Sequence, residues 1–282
     1  SNDKFSLEIR SVHGADVTII DGGNAQRCVA VGEGVEVVLR GFTFQNGNAS
    51  ASSSGGGISG GRSTICYDSV VKNCYAGYQG GGAGGVTFYN SRIENNISNC
   101  EGGGAAGCNL YNCIVANNRV VKTATWIYQQ GGGLYWGTAH NCTIVGNTAA
   151  MEGGGVYRTD LLNCIVIGNS APSAAQVYQG SGDVCSNCFS SVALSGSGNV
   201  VGSNARFVDA ASGNYNLMPD SPCVDKGDNA WVSTQTDING ARRIENAVVD
   251  IGASEYFFRE CKISFLVGDY GVRIGGGELN QV

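Results

Sequence analysis

Proline, charge, histidine and long apolar runs are all scarce in this sequence, and each shortage removes a class of protein. Three prolines among 282 residues, with no Gly-X-Y period, exclude a collagen-like rod. Charged side chains make up 14% of the chain, against a usual ~25%, and the formal net charge is only −6. With 42% hydrophobic residues, that balance excludes charge-driven disorder. The 17 lysines and arginines form no basic stripe, which argues against a nucleic-acid partner. No apolar run approaches the ~18 residues of a membrane-spanning helix, so no transmembrane segment is expected. His13 and His140 are the only histidines, too few to build a His-rich metal centre. No stretch keeps the 3.6-residue period of a helix over a useful length.

Glycine is what the sequence has in excess: 45 residues, about twice the usual ~7% share. It recurs at fixed places. Triplets begin at Gly55, Gly80, Gly102, Gly131 and Gly153, and Gly180-Ser181-Gly182 reads as an imperfect sixth. A second landmark keeps phase with them: Asn112-Cys113-Ile114-Val115, Asn141-Cys142-Thr143-Ile144 and Asn163-Cys164-Ile165-Val166. Asp68-Ser69, Asn90-Ser91, Gly41-Phe42 and Asn187-Cys188 fit the same frame. A third landmark, six residues on, is Asn96, Asn118, Asn147 and Asn169.

A unit of about 22 residues with short strands, glycine corners and recurrent Asn turns is the pattern of one coil in a solenoid. Asn accepts the left-handed backbone of a tight corner, and its amide can bond to the Asn in the next coil. The expected fold is all-β: a single-stranded, right-handed parallel β-helix of about eight to ten coils stacked at ~4.8 Å. Residues 1–256 are read as the solenoid, with a C-terminal capping region at about 195–256. Residues 257–282 read as a β-hairpin that either caps the last coil or opens a further module.

The repeats, in particular Ile93-Glu94-Asn95-Asn96, Val115-Ala116-Asn117-Asn118 and Val166-Ile167-Gly168-Asn169, resemble those of bacterial polymorphic outer-membrane proteins. The C-terminal segments resemble "choice-of-anchor Q" secreted β-helix proteins. They are Phe207-Val208-Asp209, Asn214-Tyr215-Asn216-Leu217, Asp220-Ser221-Pro222-Cys223-Val224-Asp225-Lys226-Gly227, Thr236-Asp237-Ile238-Asn239-Gly240 and Asp250-Ile251-Gly252-Ala253-Ser254-Glu255-Tyr256. The resemblance implies a pectin-lyase-like solenoid, secreted or displayed on a bacterial surface as an adhesin, with a glycan or a protein of a host or neighbouring cell as partner.

Two groups of residues are candidates for function. The residues before the triplets, Gln79, Glu101, Gln130, Glu152 and Gln179, read as a Gln/Glu ladder. Glu101 and Glu152, two coils apart at about 9–10 Å, are the catalytic candidates, near the carboxylate spacing of inverting glycosidases. The other reading is a hydrogen-bonded structural ladder. The second group is aromatic: Trp126 and Tyr128 in the longest insertion, and Tyr135, Trp136 and Tyr157 on the wall behind it. Arg158 and Asp160 lie close by. Aromatic rings beside polar groups hold sugars, so these seven are the binding candidates, with packing of the inserted loop as the alternative.

Cys113, Cys142, Cys164 and Cys188 share an inward position and read as a buried thiol stack. Bridges within Cys66/Cys74, Cys100/Cys108 and Cys185/Cys188/Cys223 stay open, because pairing is not legible in a sequence. No metal site is expected. Asp220, Asp225, Asp228, Asp237 and Asp250 form an acidic group that calcium could use, but their neighbours fit turn chemistry. The catalytic signatures of polygalacturonases and pectate lyases are missing. The leading expectation is a non-catalytic glycan- or protein-binding solenoid. The alternatives are a polysaccharide lyase or glycoside hydrolase acting on acidic polysaccharide, and a structural stalk.

Overall fold

The computed structural model describes residues 6–257, apart from 33, 50–52, 62 and 125–126. It also describes the backbone of two strands, Phe265–Gly268 and Gly271–Ile274, which pair antiparallel. The chain winds as a right-handed parallel β-solenoid of about seven turns, fewer than the eight to ten expected. The last solenoid strand is Val200–Val201, and residues 205–256 do not coil.

Three parallel sheets form the walls. The first holds twelve strands, and its longest members are Ala105–Tyr111, Leu134–His140 and Val156–Leu162. The second holds nine, among them Arg92–Glu94, Ile114–Ala116, Thr143–Val145 and Ile165–Ile167. The third holds four short strands from Asn48–Ala49 to Arg119–Val120.

The corners follow from residue type. Asp68, Asn90, Asn112, Asn141, Asn163 and Asn187 all sit at φ near +50°, as do Asn73, Asn95 and Asn117 at the next corner. Asn and Asp tolerate that left-handed region better than other side chains. The glycine triplets answer a different demand. In Gly131-Gly132-Gly133 the first residue has φ +68°, and a Cβ on the second would lie 2.3 Å from the carbonyl oxygen of Gly154. The triplet therefore provides a left-handed turn and then lets two coils touch backbone to backbone.

Two polar ladders run inside. Asn96, Asn118, Asn147 and Asn169 are buried, and each amide Nδ2 donates to the Oδ1 of the next at 3.0 Å. Gln176 ends the series by accepting from Asn169 at 3.0 Å. The second ladder is Ser69, Ser91, Cys113, Cys142, Cys164 and Cys188. Each hydroxyl or thiol donates to the carbonyl two residues back in its own coil. Several also accept the N–H of the coil before, as Cys142 does from Cys113 and Cys188 from Cys164, both at 3.4 Å. The thiols thus act as serine-like rungs as well as small apolar fillers. The eleven described cysteines are all free, so none of the bridges left open is made among them. Between the ladders lie Phe44, Val71, Ile93, Val115, Ile144 and Val166, each fully buried.

Two repeat assignments need correction. The sixth rung of the triplet column is Ala174-Ala175-Gln176, not Gly180-Ser181-Gly182. Gly155 N–H donates to Ala175 O, and Ala174 adopts φ +48° without being glycine. Likewise Glu152 pairs with Ser173 in the ladder, whereas Gln179 hydrogen-bonds to Ser195.

Residues 191–199 close the C-terminal end of the solenoid, with Leu194 packed against the core. The chain from Ala205 to Tyr256 runs back along the outside of the second sheet. Gly252 N–H donates to Asn163 O at 2.8 Å, Asn112 Nδ2 to Thr236 O at 2.6 Å, and Arg92 to Gly213 O at 3.3 Å. This arm covers Ile114, Ala116, Ile165 and Ile167, which therefore are apolar and buried although they face outward. Covering each of the three isoleucines stabilises the arm by about 1.5–3 kcal/mol. Arg243 and Glu255, both 1% exposed, pair at 2.7 Å and pin the arm internally.

Candidate functional site

The longest insertion interrupts the coil between Val120 and Gln130 and stands beside the wall made by Leu134–His140 and Val156–Leu162. Between them opens a cleft of about 640 Å³. It is lined by five of the seven predicted binding residues or their neighbours in the wall: Tyr128, Tyr135, Trp136, Tyr157 and Arg158. Glu101 is on its floor.

Tyr128 and Trp136 are the open aromatic surfaces, 55% and 50% exposed. Tyr135 and Tyr157 behave differently from the platform expected of them. They stack on each other with centroids 5.6 Å apart, and Tyr157 stacks again on Tyr178 at 4.5 Å. Their facing ring surfaces are therefore occupied, and their contribution to the cleft is at its wall. Arg158 is exposed and holds its guanidinium 5.8 Å from the Tyr157 ring. Asp160 does not line the cleft; its Oδ1 accepts the backbone N–H of Val184 at 2.8 Å. Trp126 lies outside the described residues.

The backbone marks two of these residues. Trp136 has φ +57° and Arg158 φ +51°. Strand register places them one above the other, in line with Gly85 and Gly107, whose φ values are +72° and +61°. The fold thus makes a left-handed bulge at this point in four consecutive coils. Two coils fill it with glycine and the next two with large side chains. A non-glycine residue there is strained by about 1–2 kcal/mol, and such strain concentrates at functional positions.

The polar floor is the Gln/Glu ladder. Gln79, Glu101, Gln130 and Glu152 stand in consecutive parallel rungs. Glu101 is buried, and its Oε2 accepts from Gln79 Nε2; Glu152 Oε2 accepts from Gln130 Nε2 at 3.0 Å. Each carboxylate has an amide on it, and only Glu101 reaches the cleft. The two catalytic candidates are therefore not brought together around one space. Burial and a hydrogen bond to Glu101 hold the Tyr135 phenol well above its usual range. Burial, followed by the same carboxylate, pushes the Cys100 thiol up to about 12. At neutral pH the Cys100 thiol and the Tyr135 phenol are therefore neutral rather than nucleophilic anions.

Sequence reasoning missed Tyr78 and Ile127, which also line the cleft. Tyr78 directly precedes the first rung of the ladder, so its position was readable. Four of the five calcium candidates are engaged by neighbouring groups. Asp237 accepts from the N–H groups of Asn239, Ala241 and Glu255, Asp250 from those of Asp225 and Tyr256, and Asp228 from Ala230. Asp220 pairs with Arg206. Among the described residues, no group of three or more His, Cys, Asp or Glu side chains is arranged to hold a metal ion, and no helix is long and apolar enough to cross a membrane. Compared with protein-family models and with curated proteins, the chain matches none.

Proposed function

We propose that this protein binds carbohydrate without catalysis, in the cleft around Trp136. The observation that carries this reading is the occupied bulge. Trp136 and Arg158 stand in a left-handed position that the two preceding coils leave to glycine, and both open into the same cleft. An exposed ring next to a cation, a buried carboxylate and two ladder amides supplies an apolar face and hydrogen-bonding groups for a sugar. Display at a bacterial surface, with a glycan of a host or neighbouring cell as partner, belongs to the same proposal and rests on the resemblance of the repeats and of the C-terminal segments. A glycan array probed with the chain and with Trp136→Ala tests it. Binding that the variant loses supports the reading, and an array silent with the wild type removes it.

One observation favours hydrolysis or lyase action as a second reading: Glu101 is a buried carboxylate facing the cleft. Its separation from Glu152 by the Gln130 rung weighs against a two-carboxylate mechanism. Release of reducing ends or unsaturated products from acidic polysaccharides, lost in Glu101→Gln, is the result that would favour it.

A further inference from the structure

Trp136 has two sides. On one lies the cleft already described. On the other, toward the N-terminal coils, lies a second hollow of about 280 Å³ that shares Gln79, Tyr135 and Trp136 with the first. Its remaining walls include Ser54, Ser59 and Gly107. Ser59 and Tyr157 mark the far ends of the combined surface, and the strand pairing that links them passes through Gly84, Ala106 and Tyr135. That is five rungs, or about 19 Å at the ~4.8 Å inter-strand spacing. The half-exposed indole of Trp136 therefore divides one groove into two compartments rather than flooring a single pocket.

We infer that the groove takes an oligosaccharide laid along the solenoid axis, with one sugar unit on each side of Trp136, rather than a single terminal sugar. This deepens the carbohydrate reading and rests on it. Three features converge. The indole is held in a strained backbone, so its place between the compartments is not the default for this register. The polar groups are spread along the axis, with Ser54 and Ser59 on one side, Glu101, Gln130 and Arg158 on the other, and Gln79 facing both. A unit on either side therefore finds its own hydrogen-bonding partners. Finally, a Cβ placed on Gly107 would meet nothing within 4 Å, so the space beside the indole is open and not already filled by packing.

The test is a length series. Neutral and acidic oligosaccharides of one to six units are titrated calorimetrically into the full chain, into Gly107→Asn and into Ser59→Gln. Asn suits the left-handed backbone of position 107 and fills the hollow without touching the cleft. Ser59→Gln fills it from the strand, should Gly107→Asn melt early. The expected result is that wild-type affinity rises at least about fivefold from one unit to two or more, and that either filling variant loses this gain while keeping single-unit binding. Affinity independent of length, or filling variants that bind long chains as tightly as the wild type, would overturn the two-compartment groove and leave the carbohydrate reading standing. No binding at any length by the wild type would overturn both.

Discussion

Replacing Trp136 by glycine and, separately, by alanine isolates the strain stored at the cleft. Both variants delete the indole, which is half exposed. About half of a ~200 Å² aromatic surface is then lost from packing, or roughly 2.5 kcal/mol at ~25 cal/mol per Å². The two variants differ only in the Cβ. At φ +57° that Cβ strains alanine by about 1–2 kcal/mol, whereas glycine is free of it. Glycine gives back about 0.5–1 kcal/mol through the greater freedom of the unfolded chain. Trp136→Gly is therefore expected to be more stable than Trp136→Ala by about 0.5–1 kcal/mol, and less stable than the wild type by about 1–2 kcal/mol. In a scanning melt the gap between the variants is about 1–4 °C. The same comparison at a coil that already carries glycine should mirror it: Gly107→Ala is expected to lose about the same amount, since its Cβ meets no neighbour. If alanine proves as stable as glycine at position 136, the bulge is not strained. The argument that function placed Trp136 there would then fail.

Three further outcomes follow from the interior. Asn118→Ala removes the acceptor of the Asn96 backbone and amide groups and the donor to Ile93 and Asn147, so it should lower stability by about 2–4 kcal/mol in urea unfolding. Cys142→Ser should melt within about 1 kcal/mol of the wild type because serine already serves at rungs 69 and 91, whereas Cys142→Val leaves the Cys113 N–H without its partner and should melt clearly lower. Burial, ahead of the neighbouring charges, pushes Asp250 up to about 6 and Glu255 up to about 8. Unfolded, both groups release their protons near pH 4, so the folded arm binds more protons than the unfolded chain between about pH 4 and 8. Its stability is therefore fully present below that range and falls as pH rises through it. A urea series from pH 5 to 9 should show the decline, and Glu255→Gln should flatten its upper part.

Much of the scaffold could be read directly because stacking turns chemistry into repetition. The left-handed corners demand Asn, Asp or Gly, and the close approach of coils demands bare backbone. Asn118 and Gly132 therefore announce their roles by recurring. The reading failed where a rung departs from the usual residue. Ala174 takes a left-handed conformation with a Cβ, Gln176 ends a ladder of asparagines, and Ser173 replaces the fifth member of the Gln/Glu series. Local sequence carried no sign of those substitutions. Within the region of about 195–256 read as a C-terminal cap, residues 205–256 lie along the second sheet, and the sequence carries a signal of that position. In Ile114–Ala116 and Ile165–Ile167 every residue is apolar, where alternation is expected of a wall with one wet face. At the cleft, the aromatic cluster was visible as residues that break the glycine pattern. The stacking of Tyr135 on Tyr157 and the left-handed backbone of Trp136 were not, because both depend on how adjacent coils align.

The most direct test of the account is calorimetric titration of the wild-type chain and of Trp136→Ala with the oligosaccharide that a glycan array selects. Saturable binding by the wild type, weakened about tenfold or more in a variant that stays folded, is the result predicted for stacking on a half-exposed indole. Equal affinity in the two proteins, or no saccharide bound by the wild type, would contradict it.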